Sequence, residues 1–301
     1  MSNIRFSIIM ASFNYEAFIT QAIESVLAQT YPHWELIIVD DGSNDNSLEI
    51  IKSFESKDKR INAYTHDNCK NKGLKETILL GLEKAKEPWV AFLESDDFWD
   101  PDFLAQKASV VFKHPSVEFI FNSVKTFGES SIVKFLEETC IAPCEKLLAN
   151  GSFPRKIPHY FLKRNVVFSF SCVCIKKTLL HTCNFNSPIE KYIDYYLWSQ
   201  IAPMATTYYT EQRLTHWRMH STSYIQRTAS ANSDQQVSLF SKSILRNLSR
   251  CEKRPFLFSI LILLYKSNFI RKNTRTIERI LMRAIDTLPA DNSGKPLDNN
   301  F

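Results

Sequence analysis

The chain is poor in glycine, with six among 301 residues, and it lacks the glycine motifs that bind phosphate. Neither a Walker A motif nor a G-x-G-x-x-G fingerprint follows the first apolar segment, "FSIIM" at 6–10. Such motifs hold phosphate through the backbone N–H groups of a glycine-rich loop. Their absence argues against P-loop enzymes and dehydrogenases, and a phosphate-bearing ligand would need a metal ion instead.

Long apolar runs and paired cysteines are also missing. The longest apolar run, Phe256–Leu264, falls well short of the ~20 residues that span a bilayer. The first apolar segment is too short for a secretory signal, and the seven cysteines include no C-x-x-C pair for zinc. We therefore expect a cytoplasmic protein with reduced thiols and no transmembrane segment.

The chain has little excess charge. Its net charge of +5 is well short of that of a nucleic-acid-binding arm, so we expect no nucleic-acid partner. Hydrophobic residues make up 44% and charged residues 23%, which is ordinary for a folded globular protein. The length allows one large domain or two moderate ones.

What the first ~115 residues do have is a regular alternation of strand and helix patterns. Continuous apolar runs predict strands covered on both faces, and apolar residues at helical spacing predict the helices between them. This order predicts an α/β protein with a parallel sheet and helices on both faces. The strands are predicted at 6–10, 35–40, 61–65 and 89–94, and the helices at 16–30, 47–54, 74–86 and 101–114.

The pattern changes after this region. A long irregular stretch, marked by Pro143, Pro154 and Pro158, is predicted between two strands, and from about residue 234 the chain is helical by pattern. The later strands are predicted at 117–121, 168–175 and 207–210, and a helix at 192–202.

Carboxylates follow two of the predicted strands. The pair Asp40–Asp41 follows the second strand, and Asp96 and Asp97 follow the fourth, within "FLESDDFWD". Ligands bind at the carboxyl ends of strands in such sheets, and adjacent carboxylates repel each other unless something binds them. Oxygen ligands suit Mg²⁺ or Mn²⁺, so Asp96 and Asp97 predict a metal site. The alternative is a solvated loop with helix caps, which we expect for Asp100.

Four segments resemble the family 2 glycosyltransferases, whose nucleotide-sugar-binding domain has the GT-A fold. "FSIIMASFNYEAFITQAIESVLAQTYPHWELIIVDDGSNDNS" is similar to the family's opening, and "EPWVAFLESDDFWDPDFL" to its D-x-D-D region. Weaker similarity returns in "FNSPIEKYIDYYLWSQIA" and "HWRMHSTSY". The resemblance implies a Rossmann-like, mostly parallel central sheet with helices on both faces. It divides the chain into a nucleotide-sugar-binding half (1–115), an acceptor-binding half (116–230) and a C-terminal helical region (231–301).

The resemblance also implies a site. Asp41 would bind the uracil N–H of a UDP-sugar, Phe13 would stack on the base, and Lys75 or Lys72 would supply a cation near the phosphates. A Mn²⁺ or Mg²⁺ cofactor would bridge the diphosphate. The nucleotide would contact Ala11, Ser12, Phe13, Asn14, Asp41, Lys75 and Asp96, the metal would contact Asp96, Asp97 and His220, and Asp194 would be the catalytic base.

The implied function is a metal-dependent, inverting, single-addition transfer of a sugar to a hydroxyl of a cell-surface glycan or lipid-linked glycan. Departures from the family pattern keep two alternatives open, an inactive nucleotide-sugar-binding module and a different donor nucleotide. Glu94 replaces the first Asp of D-x-D-D, Ile193 replaces the acid before the base, and Ile78 and Leu79 replace an Arg-Asn pair.

Other polar residues have plainer alternatives. By pattern alone Asp194 is an exposed residue beside a core-facing aromatic set. His216 is interpreted as a solvent-exposed histidine. His220 is equally a metal ligand or a histidine without a role in the site. A C-terminal stripe of Arg275, Arg279 and Arg283 fits a solvated helix face or peripheral docking on the inner face of the cytoplasmic membrane.

Overall fold

The computed structural model describes residues 4–149, 154, 157, 160–162, 165–220 and 234–248. An eight-stranded mixed sheet with the order β3-β2-β1-β4-β7-β6-β8-β5 forms the centre of this part. Its strands are β1 Phe6–Ser12, β2 Trp34–Asp40, β3 Ile61–Thr65, β4 Trp89–Phe92, β5 Phe98–Trp99, β6 Phe119–Gly128, β7 Val173–Lys176 and β8 Thr207–Met219. Strands β1 to β4 run parallel, as does the β6–β8 pair, whereas β7 and β5 pair in the antiparallel sense.

Helices cover both faces of the sheet. No helix among the described residues is long and apolar enough to cross a membrane. The helices are α1 Ile19–Leu27, α2 Ser47–Glu55, α3 Leu74–Lys84, α4 Phe103–Lys113, α5 Ser130–Leu136, α6 Ala142–Leu148, α7 Lys177–Leu180, α8 Ile193–Ile201 and α9 Asp234–Leu248. A π-helical turn, Glu137–Ile141, joins α5 to α6, and 3₁₀ turns lie at Asp67–Cys69, Tyr160–Leu162, Phe170–Cys172 and Glu190–Tyr192.

The core consists of two apolar layers, one on each face of the sheet. Alternate residues of β2 enter different layers, with Leu36 and Ile38 in the layer that holds α1, α2 and α4. Ile37 and Val39 lie in the layer that holds α3, α8 and α9. Both faces are therefore buried, which explains why the central strands are apolar without alternation. The predicted α/β class with helices on both faces is confirmed.

The predicted irregular stretch is wrong, because residues 130–148 are continuously helical through α5, the π-helical turn and α6. Pro143 does not interrupt this segment, since it lies in the first turn of α6, where a backbone N–H has no helical partner. The predicted strand at 168–175 is shorter than expected, because Phe170–Cys172 forms a 3₁₀ turn in which the Ser169 side chain accepts from the Ser171 N–H.

Strand β8 extends nine residues beyond its predicted end, from Thr210 to Met219. Its pairing with β6 continues as far as Gly128 and Met219. This extension carries Arg218 and His220 from the far side of the sheet to the turn that follows β4.

Candidate active site

A pocket of about 350 Å³ opens where the carboxyl ends of β1 and β4 meet the start of α3. This is the place where parallel sheets bind ligands. Its lining is largely apolar and includes four acidic residues. The lining residues are Ile9, Ala11, Ser12, Phe13, Tyr15, Asp41, Asn71, Gly73, Leu74, Thr77, Ile78, Phe92, Leu93, Glu94, Ser95, Asp96, Phe170 and Glu190.

At one end of the pocket, Asp41 is held by the loop that leads into α3. Its two carboxylate oxygens accept from the backbone N–H groups of Lys72, at 2.7 Å, and Gly73, at 3.0 Å. Gly42 makes this approach possible, because a Cβ on it would lie 2.4 Å from the Cys69 carbonyl oxygen. Nε2 of His66 lies 3.5 Å from Oδ1 of Asp41, and Oδ2 keeps a second lone pair that can accept a further bond from a ligand N–H.

The structure brings five of the seven predicted nucleotide-contact residues to the pocket lining: Ala11, Ser12, Phe13, Asp41 and Asp96. Two others have different places. Asn14 has a φ of 58° and accepts from the Asn44 N–H, so it links the β1 end to the loop after β2. Lys75 pairs with Glu76 and donates to Asn186.

The acidic turn, defined here as Glu94 to Asp97, joins β4 to β5 and presents Asp96 to the pocket. Nε2 of His220 lies 3.0 Å from Oδ2 of Asp96, and its ring packs on Phe18 with centroids 4.8 Å apart. The Arg218 guanidinium donates to the Asp96 carbonyl at 2.8 Å, between the Phe18 and Phe127 rings. The end of β8 thus holds this turn and gives Asp96 a histidine neighbour.

Asp97 points the other way and is 1% exposed. Its Oδ1 accepts from the Arg218 backbone N–H at 2.9 Å, and its Oδ2 accepts from the Ser171 hydroxyl at 2.6 Å. Burial, together with the charges of Asp96 and Glu94, raises the pKa of Asp97 well above its usual range. The structure therefore gives Asp97 internal partners and leaves it out of the pocket lining.

Glu94 lines the pocket and has a raised pKa. Burial and the negative charges of Asp96 and Asp194 raise its pKa to about 8, against a hydrogen bond from Ser169 that lowers it. The Ser169 hydroxyl donates to its Oε2 at 2.6 Å. A protonated carboxyl group can donate a hydrogen bond to a ligand oxygen.

Asp194 lies in the first turn of α8, within electrostatic range of Glu94. The Asn165 amide donates to its Oδ2 at 2.9 Å. Burial raises the pKa of Asp194 to about 6, and hydrogen bonds from backbone N–H groups and Asn165 oppose this rise. Such a carboxylate is ionised at neutral pH yet basic enough to accept a proton.

A divalent metal fits this pocket only together with a ligand. Among the residues that the structure describes, no group of three or more His, Cys, Asp or Glu side chains is arranged to hold a metal ion. Asp96 and His220 offer one oxygen and one nitrogen, and Mg²⁺-type sites commonly complete such sets with phosphate oxygens. The described lining contains Asp41, Glu94, Asp96 and Glu190 but no lysine or arginine. The described lining thus offers an anion no positively charged side chain.

Two sequence predictions next to the site are wrong. The side chain of Asp100 does not cap α4, whose N-cap residue is Asp102. The Asp100 carboxylate instead accepts from Lys125 at 2.9 Å and lies 2.8 Å from Nε2 of His216. His216 is therefore a paired, partly buried residue stacked on Phe98, not a solvent histidine.

Sequence reasoning also missed several residues of the site. Ser169 and Ser171 are the partners of the acidic turn, but in "FSFSCVCI" they look like one face of a strand. Glu190 lines the pocket one helical turn before Asp194. The only available signal for it was the missing acid at Ile193, which leaves room for a carboxylate from a neighbouring turn.

Comparisons with known proteins identify the family and the fold. The sequence profile described as "Glycosyl transferase family 2" matches residues 7–175. The chain is 34% identical over 197 residues, 65% of this chain and 68% of the other, to UDP-Glc:alpha-D-GlcNAc-diphosphoundecaprenol beta-1,3-glucosyltransferase WfgD of Escherichia coli. It is 40% identical over 108 residues to an uncharacterized glycosyltransferase of Haemophilus influenzae, covering 36% of this chain and only 42% of that protein.

Solved structures share the fold at low identity. S. aureus TarS 1-349 in complex with UDP-GlcNAc has a TM-score of 0.66 and 15% identity, over 90% of this chain and 74% of that one. The mannosyltransferase PcManGT from Pyrobaculum calidifontis, in complex with GDP-Man and Mn²⁺, has a TM-score of 0.55 and 14% identity, over 93% of this chain and 85% of that one. The predicted GT-A fold is thereby confirmed.

Proposed function

Since the chain belongs to the family 2 glycosyltransferases, we propose that it transfers a sugar from a UDP-sugar to a hydroxyl group, with inversion and with a divalent metal ion. The observation that carries the proposal is the pocket lining, which includes four acidic residues and no described lysine or arginine, with His220 paired to Asp96. This arrangement suits a diphosphate that arrives with a metal ion and does not suit a free anion.

The nucleotide takes the Asp41 end of the pocket. Asp41 accepts from the uracil N–H with the lone pair that Gly73 leaves open on Oδ2, and Phe13 stacks on the base. Asp96 and His220 would hold Mn²⁺ or Mg²⁺, and the ion would neutralise the charge that develops on UDP. Asp97 holds the acidic turn in place, because its two carboxylate oxygens accept hydrogen bonds from the Arg218 N–H and the Ser171 hydroxyl.

Asp194 serves as general base. It takes the proton of the acceptor hydroxyl, whose oxygen attacks the anomeric carbon from the face opposite the diphosphate. The bond from the anomeric carbon to the diphosphate oxygen breaks at the same time, and UDP leaves with its electron pair. Asn165 fixes the carboxylate through one oxygen. One displacement of this kind inverts the anomeric configuration.

The acceptor is proposed to be a cell-surface glycan on a lipid carrier, because the name of WfgD specifies a diphosphoundecaprenol-linked acceptor. In this proposal 116–230 supplies the acceptor-binding half, and the protein works peripherally at the inner face of the cytoplasmic membrane. The arginine stripe predicted for such docking lies outside the described residues, as does all of the C-terminal region except α9.

A donor panel tests the proposal. UDP-, GDP- and dTDP-sugars are incubated with the full chain, a GlcNAc-diphospho-lipid acceptor and Mn²⁺ or Mg²⁺, and nucleotide release is measured. We expect release of UDP from one UDP-sugar, its loss in EDTA, and a product of inverted anomeric configuration by NMR. Turnover of GDP-sugars alone would overturn the choice of donor, and full activity in EDTA would overturn the metal.

A further inference from the structure

His66 is a buried histidine that directly follows β3 and adjoins the Asp41 end of the pocket. It is 7% exposed, and the function proposed above gives it no role. Its Nε2 lies 3.2 Å from Oγ1 of Thr77 on α3 and 3.5 Å from Oδ1 of Asp41. Thr77 and Asp41 are buried as well, and both line the pocket. One imidazole nitrogen therefore faces two polar groups at the place where the nucleobase is proposed to bind.

The two neighbours of Nε2 indicate that this nitrogen carries a hydrogen. A carboxylate can only accept hydrogen bonds, so a bare Nε2 would place its lone pair against the lone pairs of Asp41. The Thr77 hydroxyl donates its single hydrogen to the Gly73 carbonyl at 2.9 Å, which leaves its oxygen as an acceptor toward His66. The Nε2–H group of His66 is therefore shared between Thr77 and Asp41.

The two oxygens of Asp41 consequently differ in what they can still accept. Oδ1 accepts from the Lys72 N–H at 2.7 Å and also faces the His66 N–H. The partly positive hydrogen of this group repels any further donor that approaches Oδ1. Oδ2 accepts from the Gly73 N–H at 3.0 Å and keeps its second lone pair. A ligand can thus place one N–H group on Asp41, at Oδ2, but not two.

Nucleobases differ in how many N–H groups they present side by side. Uracil has a single N–H, at N3, between two carbonyl groups. Guanine has the N1–H next to the exocyclic N2 amino group, and this pair of donors matches the two oxygens of one carboxylate. An Asp41 with one open position therefore fits uracil, and it leaves one donor of guanine without a partner, which is costly in a buried site.

On the basis of the proposed function, in which Asp41 binds the base, we infer that His66 is a positioning residue for donor selection. By blocking Oδ1 of Asp41, it favours UDP and disfavours GDP. His66 is not among the lining residues of the pocket, so it acts through Asp41 and does not contact the nucleotide. The choice between the two nucleotides is thus made by a side chain next to the base-binding residue.

The test replaces His66 by phenylalanine, which keeps a ring and removes the N–H group. Calorimetry with Mn²⁺ gives the dissociation constants of UDP and GDP, and because both ligands carry the same diphosphate, the contribution of the metal cancels in their ratio. We expect His66→Phe to lower the preference for UDP over GDP about 10- to 100-fold, since a second charged hydrogen bond to guanine becomes available. A general loosening of the pocket would weaken both ligands and leave the ratio unchanged.

Two further variants are matched to this one. His66→Gln places an amide N–H near the position of Nε2 and should restore the parent preference for UDP. His181→Phe makes the same replacement at an exposed histidine that ends α7, and it should leave both dissociation constants unchanged. A parent-like ratio in His66→Phe would overturn the inference.

A measurement on the parent protein keeps the inference testable even if His66→Phe does not fold. Long-range ¹H–¹⁵N NMR spectra distinguish a protonated ring nitrogen from a bare one, and the loss of signals in His66→Gln assigns those of His66. We expect a hydrogen on Nε2, and a bare Nε2 would refute the inference because it could not block Oδ1.

The same calorimetry separates this inference from the proposed function. A parent protein that binds GDP more tightly than UDP refutes the proposed donor. A parent protein that prefers UDP, together with an unchanged ratio in His66→Phe, refutes the role of His66 and leaves the proposed donor in place.

Discussion

At the scale of single residues, the environment of each acidic group at the pocket, and not its residue type, sets its pKa. The pKa of Glu94 is raised to about 8 and that of Asp194 to about 6. Burial raises both pKa values, and the negative charges of Asp96 and Asp194 raise the pKa of Glu94 further. Two carboxyl groups with separated pKa values can act as hydrogen-bond donor and base in one site.

Asp194→Asn should abolish transfer while preserving donor binding. The amide cannot accept the acceptor proton, so kcat should fall about 100- to 10,000-fold. UDP affinity with Mn²⁺, measured by calorimetry, should match the parent protein, because Asp194 lies outside the lining of the nucleotide pocket. Retention of more than a tenth of kcat would remove Asp194 from the role of base.

The pH dependence of kcat/KM should report the ionisation of Asp194. Asp194 must be ionised to accept a proton, so activity is present above pH 6 and lost below it, with an apparent pKa of about 6. Below that point kcat/KM should fall about tenfold per pH unit. A profile that is flat down to pH 4.5 in stopped assays would contradict this assignment.

The residue scale also shows how far sequence reasoning reaches. The gathering of carboxylates at strand ends follows from the parallel pattern and was predictable. The opposite directions of Asp96 and Asp97 were not, because side chains alternate regularly in strands but not in turns. The partner of Asp97, Ser171, is 74 positions away in the chain, and no local pattern links the two.

At the scale of elements, the α5–α6 segment is fastened to the sheet by one arginine. Arg213 on β8 donates to both oxygens of Glu145, at 2.9 and 2.8 Å, and to Glu137 at 3.3 Å. Glu145 is also bonded by Ser123 of β6. This forked arrangement fixes a helical segment that sequence patterns assigned to an irregular stretch, because Pro143 indicated a break and the long-range pairing was invisible.

Arg213→Met should loosen this segment without touching the pocket. Loss of charged hydrogen bonds to two carboxylates should lower the free energy of unfolding by about 1–3 kcal/mol. Amide hydrogen exchange over residues 130–148 should speed up, and exchange in β1 to β3 should not. Arg213→Lys, which keeps the charge but not the fork, should recover only part of the loss. Unchanged exchange in this segment would show that the arginine does not fasten it.

At the scale of the whole molecule, the strands at one end of the sheet can be predicted from the sequence, whereas the strand pairing at the other end cannot. The parallel strands β1 to β4 alternate with helices along the chain, so periodicity predicts them. Beyond them, β7 lies between β4 and β6, and β5 pairs with β8 at the far edge. These neighbours are distant in sequence, so their order depends on tertiary packing.

Ligand binding should stabilise the whole chain in a metal-dependent way. UDP at 100 times its Kd raises the free energy of unfolding by about 2.7 kcal/mol. We expect a larger rise in melting temperature with UDP and Mn²⁺ than with UDP and EDTA, and expect Asp96→Ala to remove this difference. An equal rise under both conditions would show that the metal does not contribute to nucleotide binding.

The reach of β8 to the acidic turn has a consequence for the order in which the protein forms. The backbone N–H of Arg218 satisfies Asp97 across 121 positions of sequence. During synthesis, the strands and loops around Asp41 can assemble well before β8 leaves the ribosome, since contacts distant in sequence form late. Until then the buried carboxyl group of Asp97 lacks the hydrogen bond from the Arg218 N–H. The loops around Asp41 and the acidic turn thus gain their hydrogen-bond partners at different stages of chain synthesis.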